Sequence, residues 1–176
     1  MASIKRIGFG QVEPNHLSAQ RTGQIYAQLI ADSELNIIEN GMFLKYDYEN
    51  RKAVADATVP GEWLLVYNEE KLYDPRKQNH KDFAMQKTDY VDGEMVPRLF
   101  KTNIGDIFTT NTLGAANTSD SAETAAFSVD IGDLLEVSGT GYLVKNNSAT
   151  GMAFKVVAIT TMPDPEADAV KLQRVK

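Results

Sequence analysis

Any chemistry in this chain has to come from few residues. There are two histidines, His16 and His80, and no cysteine. Without cysteine there is no thiolate nucleophile, no thiolate metal ligand and no disulfide. Neither histidine lies in an H-E-x-x-H spacing, which would put two imidazoles on one helix face for zinc. Both read as surface or turn residues. A serine triad is set by geometry rather than spacing, yet no G-x-S-x-G elbow occurs and the serines gather in loops. Gly139 and Gly141 lack the third glycine and following helix of a dinucleotide site, and no Walker A run exists. Asp164, Glu166 and Asp168 alternate as calcium ligands do. Pro163, Pro165 and the missing bidentate glutamate further on favour a solvated acidic loop instead. The residues therefore point to a non-enzymatic protein with no catalytic residue, no metal and no cofactor. Trp63, Tyr67, Tyr73 and Tyr142 have the chemistry to line a carbohydrate or base-stacking face. On strands such residues more often serve as core or cross-strand partners.

The elements that would position these residues are short strands. Ile104-Gly105-Asp106-Ile107-Phe108 and Ile131-Gly132-Asp133-Leu134-Leu135 repeat one local design, a Gly-Asp turn followed at once by bulky strand-forming residues. Gly139-Thr140-Gly141 reverses the chain between Leu134–Val137 and Tyr142–Lys145. Asn146 to Gly151 is a loop, Met152 to Thr161 is the longest strand-like run, and Ala169 to Val175 closes the chain. Upstream, Asn40-Gly41 between Leu35–Glu39 and Met42–Tyr48 predicts a hairpin, the strongest such signal in the chain. Glu49-Asn50-Arg51 turns into Lys52–Ala57, and Pro60-Gly61 precedes the strand Glu62–Tyr67. Asp92-Gly93 predicts a further hairpin joining Thr88–Val91 to Glu94–Val96, with Pro97 at an edge. Short strands at this spacing predict an all-β fold with little helix, a small β-barrel or sandwich.

Residues 1–24 read as an extended N-terminal arm. Gly8, Gly10, Pro14, Asn15 and Gly23 interrupt any period, and Phe9, Val12 and Leu17 are scattered. Ser18 to Ala31 is ambiguous between helix and strand, and Gln24 to Leu29 alternates as a strand does. Residues 25–176 form the β-rich body. The polar stretch 74–87 is the best boundary if the body divides into two lobes.

Charge and length narrow the partners. The net charge is −6 over 176 residues. Residues 1–31 carry three basic residues and one acidic, for +2, and the remainder carries −8. An acidic body lacks the clustered basic face that tracks phosphates, so nucleic acid is not an expected partner. No apolar run approaches the roughly 20 residues that span a bilayer, so neither is a membrane. The first residues are not followed by the apolar stretch of a secretory signal.

Gly8-Phe9-Gly10-Gln11-Val12-Glu13-Pro14-Asn15-His16-Leu17-Ser18-Ala19-Gln20, Gly23-Gln24-Ile25-Tyr26-Ala27-Gln28-Leu29 and Ile38-Glu39-Asn40-Gly41-Met42-Phe43 resemble accessory head proteins of tailed bacteriophages. So does the pattern of Gly105-Asp106, Gly132-Asp133, Lys155-Val156-Val157 and Ala169-Val170-Lys171-Leu172. The resemblance implies a capsid decoration (cement) protein or a related minor head protein. Such a protein is non-enzymatic, is made in the bacterial cytoplasm and sits on the capsid exterior of the virion. Its partners are the major capsid protein and copies of itself, as a homo-oligomer (trimer or dimer). An extended arm would then carry the capsid contacts, through Phe9, Gln11, Val12, His16, Leu17 and Arg21. On that expectation, residues 1–20 are dispensable for folding and needed for binding. The other class of function open to the sequence is a carbohydrate-binding β-sandwich module that uses Trp63 and Tyr67.

Overall fold

Met42-Phe43-Leu44, Leu64-Leu65-Val66 and Leu99-Phe100 are unbroken apolar runs. In an extended chain, neighbouring side chains point to opposite faces, so such runs need cover on both sides. The computed structural model of the chain describes residues 1–6, 8–68, 83–114, 127–163 and 166–176. In it these runs form the middle of a six-stranded sheet in the order β3 (Ile25–Tyr26), β10 (Leu99–Phe100), β8 (Leu64–Val66), β6 (Phe43–Asp47), β7 (Lys52–Val54) and β4 (Ile30–Ala31). A second six-stranded sheet has the order β14 (Leu143–Lys145), β13 (Leu134–Val137), β15 (Ala153–Pro163), β16 (Glu166–Arg174), β11 (Ile107–Thr110) and β2 (Val12–His16). Two small pairs complete the set: β1 (Ala2–Ile4) with β12 (Phe127–Val129), and β5 (Ile37–Glu39) with β9 (Ala84–Gln86). Only β4 and β7 run parallel among these ladders. Strand takes 44% of the residues and helix 8%, so the all-β class holds. No closed barrel forms.

The two large sheets share a core. Phe43, Leu65 and Phe100 of the first meet Phe108, Leu135, Phe154, Val156 and Leu172 of the second, all fully buried. Phe43 stands 5.2 Å from Phe154 and Phe108 stands 5.5 Å from Phe154, centroid to centroid, within the range where offset aromatic rings attract. On its other face the first sheet presents Leu44, Leu64, Val66 and Leu99 to Ala31, Ile38, Met85 and Met95. Each apolar run is thus divided between two cores, which is the cover it required. Strands on either side of 74–87 pair directly, β8 with β10, and β9, which lies inside that stretch, pairs with β5.

The repeated Gly-Asp design is a repeat in three dimensions. Asp106 N–H donates to the Asn103 carbonyl and Asp133 N–H to the Asp130 carbonyl, at 3.0 and 3.1 Å. Each Asp carboxylate in turn accepts the N–H of the residue three before it, at 2.9 and 2.8 Å. The glycine between has φ +96° at Gly105 and +98° at Gly132, as the third position of a type II turn requires. Each turn then grips a neighbouring strand. Gly105 N–H donates to the Arg174 carbonyl and Arg174 N–H to that of Asp106; Gly132 and Asp133 do the same with Val156.

Of the three expected hairpins, the one at Gly139 to Gly141 joins β13 to β14 as predicted. Asn40-Gly41 turns the chain, but β5 and β6 do not pair: β5 joins β9, and β6 lies between β7 and β8. The Asn40 side chain instead accepts the Asn68 N–H at 2.7 Å, and Gly41 N–H donates to the Val66 carbonyl, so the turn hands the chain from one sheet to another. Asp92-Gly93 also turns, between Val91 and Glu94, with 3₁₀ turns rather than strands before it. The segment after it bonds elsewhere, the Met95 carbonyl accepting Ala31 N–H at 2.7 Å.

The N-terminal segment is extended but is not a free arm. β1 pairs with β12, β2 closes the edge of the second sheet against β11, and Ser18–Thr22 forms a short helix, α1. Phe9, Val12, Leu17 and Ala19 are buried. Val12, Leu17 and Ala19 join the core shared by the two large sheets although they follow no single period in sequence. The glycines that read as flexibility serve close approach: a Cβ at Gly10 would stand 2.3 Å from the Thr112 hydroxyl and 2.8 Å from the Asn40 carbonyl.

Deleting residues 1–20 is therefore expected to abolish the cooperative thermal transition rather than leave a folded body. Leu17→Ala should cost about 2–5 kcal/mol in urea unfolding. A loss well under 1 kcal/mol would return this segment to the status of an arm.

Candidate functional site

Beside the junction of the two sheets lies a buried carboxylate. Glu39 ends β5 with no exposure, and its oxygens accept from three donors distant in sequence. Gly10 N–H donates to Oε1 at 2.8 Å, the Tyr142 hydroxyl to Oε2 at 2.7 Å, and Arg6 Nη1 to Oε2 at 3.3 Å. Arg6 is itself 1% exposed, so the pair is a buried ion pair. Burial and the Glu39 charge push the Tyr142 phenol far above its ordinary pKa, which keeps it a proton donor to Glu39. A carboxylate with every oxygen engaged in this way is a structural anchor, not a general base. Around it Thr112 donates its hydroxyl to the Asn40 carbonyl at 2.6 Å, and Gln11 N–H donates to the Asn111 side chain at 2.7 Å.

Tyr142 also lines a cleft of about 830 Å³, with Leu35, Ile37, Met42 and, from the other side, Lys87 and Asp92. A volume of this size is that of small-molecule and peptide sites, and its lining is mainly apolar with polar groups on the rim. Nothing in the sequence flagged it, because its lining comes from residues 34–42, 86–93 and 140–142, which no window joins.

The residues expected to meet a partner fare unevenly. Phe9, Gln11, Val12 and Leu17 are buried inside the body, which removes them from any outer contact surface. His16 and Arg21 are exposed, at the end of β2 and in α1. The aromatics of the carbohydrate reading are engaged internally: the Lys45 ammonium sits 4.7 Å over the Trp63 ring, Tyr67 packs on Phe100 at 5.6 Å, and Tyr142 is buried. Tyr73, His80 and Asp164 lie outside the described residues. The exposed aromatic is one the sequence reading passed over, Tyr48, held against Tyr46 at 5.8 Å beside the β6–β7 turn. Among the described residues no three His, Asp or Glu side chains gather as a metal site. No helix there is long and apolar enough to cross a membrane.

Exposed apolar residues occur at Ile30, Tyr48, Val91 and Val96, and a further set belongs to the second sheet and its turns. Ile104 and Ile131, at the tips of the two repeated turns, are 72% and 66% exposed. Val157 and Ile159 of β15 are also exposed, and the Gly132–Val156 bond places Ile131 next to them. From Thr160 with Ala169 to Pro163 with Glu166, the β15–β16 ladder runs on with no third strand paired beside it among the described residues, while Met162 and Ala169 within it are buried.

These features define an all-β protein of two facing sheets, with a cleft lined by residues 34–42, 86–93 and 140–142 and exposed apolar residues on β15. No protein-family model, no curated protein and no solved structure matches the chain.

Arg6→Met is expected to cost about 3–5 kcal/mol in chemical unfolding, because it leaves Glu39 charged and buried. The double change Arg6→Met with Glu39→Leu should recover much of that loss, and a double variant no better than the single would count against an uncompensated charge as the cause. A separate outcome concerns pH. Lys145, the Asp130 N–H and the Asn147 amide hold the Asp133 carboxyl down, from 3.8 to about 2. A lowered folded pKa contributes stability above the unfolded value that is lost as pH falls through the folded one. The melting temperature should therefore drop between about pH 4 and pH 2. Asp133→Asn should flatten that slope in thermal melts, with the remainder carried by Asp32, Asp47 and Asp56, which are lowered in the same direction.

Proposed function

We propose that this chain is a structural virion protein of a tailed bacteriophage, one that binds the outer surface of the capsid and stabilises contacts between capsomers. The observation that carries this reading is the group of exposed apolar residues on the β15–β16 pair and beside it, Val157, Ile159 and neighbouring Ile131. Exposed apolar residues grouped on a rigid strand pair favour adhesion, since they bind without an ordering cost. The buried polar groups support it as well: Glu39, Asp106 and Asn40 are all spent on internal bonds. The resemblance of the Gly8–Gln20 and Gly-Asp segments to accessory head proteins points to the same class of partner. On this reading the capsid contact moves from the N-terminal segment to the hairpin face. Self-association belongs to the same reading, through the edge strand β2, which pairs only with β11 among the described residues.

The test is co-sedimentation with undecorated phage heads. Ile131→Glu with Ile159→Glu is expected to keep the wild-type melting temperature, since substitutions at exposed sites change stability by only about 0.5 kcal/mol. The same double variant should lose head occupancy at least about tenfold, as a charge placed in an apolar contact is costly to desolvate. Wild-type occupancy by this variant would move the contact elsewhere. Failure of the wild type to bind heads would defeat the virion reading itself.

A further inference from the structure

The cleft beside Tyr142 is held open by its own framework. Lys87 ties its two lips together: its N–H donates to the Asn36 carbonyl at 2.9 Å and its ammonium to the Ser33 carbonyl at 2.8 Å. The Lys87 alkyl chain lies against Gly93, where a Cβ would stand 2.9 Å from its carbons. Asp92, at φ +56°, forms the other half of that tight turn, and Glu94 N–H closes it on the Val91 carbonyl at 3.2 Å. The floor is apolar, built from Leu35, Ile37, Met42 and the Tyr142 ring. Opposite lips carry Glu34 and Asp92, and neither carboxylate meets a cation among the described residues. The one ammonium on the rim among the described residues, that of Lys87, is committed to a carbonyl.

We propose that this cleft binds an extended peptide segment of a partner protein in which an apolar side chain is flanked by lysine or arginine. The apolar side chain fills the floor and is driven there by removal of its surface from water. The flanking cations meet Glu34 on one lip and Asp92 on the other, a complementarity that sets encounter rate and rejects acidic segments. Because Lys87 already fixes both lips, little ordering cost accompanies binding. This site is separate from the hairpin face, and its occupant need not be the capsid.

The probes are acetylated, amidated pentapeptides with a central leucine and lysine, serine or glutamate at every flanking position, read by fluorescence anisotropy at low salt. The lysine peptide should bind saturably and the glutamate peptide more weakly by at least about tenfold. That advantage should shrink as salt is raised. Glu34→Gln with Asp92→Asn should erase the difference between the two peptides, and Thr140→Trp, placed in the exposed rim, should fill the cleft and abolish binding of both. Thermal melts of each variant check that the fold is intact, and amide shift mapping on the wild type should centre on Leu35, Ile37 and Gln86. Equal binding of the lysine and glutamate peptides overturns the proposal. So does binding that survives Thr140→Trp, or no binding at millimolar peptide. A charge preference that persists in the neutralised variant, or n-hexylamine binding as tightly as the lysine peptide, overturns it equally.

Discussion

The bond set around Glu39 is the constraint on which the rest of the structure depends. A carboxylate taken fully out of water is tolerated only when its charge and its lone pairs are all answered. Here the answering groups are Arg6, the Gly10 N–H and the Tyr142 hydroxyl, contributed by the N-terminal segment and by the start of β14's hairpin arm. Satisfying one charge therefore locates three distant parts of the chain at once. Hydrophobic burial between the two sheets is larger in total but has no direction. Phe43 against Phe154 would accept small slides that the Glu39 oxygens would not.

The same logic explains why the N-terminal segment belongs to the body. Its apolar residues are too few to order it alone, and its backbone crosses Thr112 and Asn40 so closely that only glycine fits at position 10. The polar bonds of Arg6, Gly10 and Gln11 fix the path, and Val12, Leu17 and Ala19 then join the shared apolar core. Order in this segment comes from partners far along the chain, which is also why β2 can serve as an edge strand despite Pro14.

Rigidity and exposure are combined in the second sheet. Each repeated turn is fastened twice, by its own Asp side chain and by a strand it grips, so Ile104 and Ile131 are displayed from fixed supports. The long β15–β16 ladder carries Val157 and Ile159 beside them. The cleft works differently: its lips are tied by a lysine whose charge is spent on a carbonyl, leaving the rim to Glu34 and Asp92. Two surfaces of different character thus sit on one framework, one with exposed apolar side chains, the other concave with acidic lips.

The local features were legible in the sequence. The Gly-Asp repeat named both type II turns, Gly139 to Gly141 named a hairpin, and Met152 onward named the longest strand. The all-β class followed from these, because turn chemistry and side-chain alternation depend on neighbours within a few residues. Pairing partners were not legible. Asn40-Gly41 looked like a hairpin turn because its flanks alternate, yet Asn40's side chain was claimed by Asn68 and Gly41's N–H by Val66. Nothing in the sequence sets Glu39 apart, because Arg6 and Tyr142, which bond it, lie 33 and 103 positions away. The chain alone determined its strands and turns. The tertiary structure decided which strands meet, that the first residues are core and that a cleft exists, because burial of a charge and closure of a cavity are properties of groups that only folding brings together.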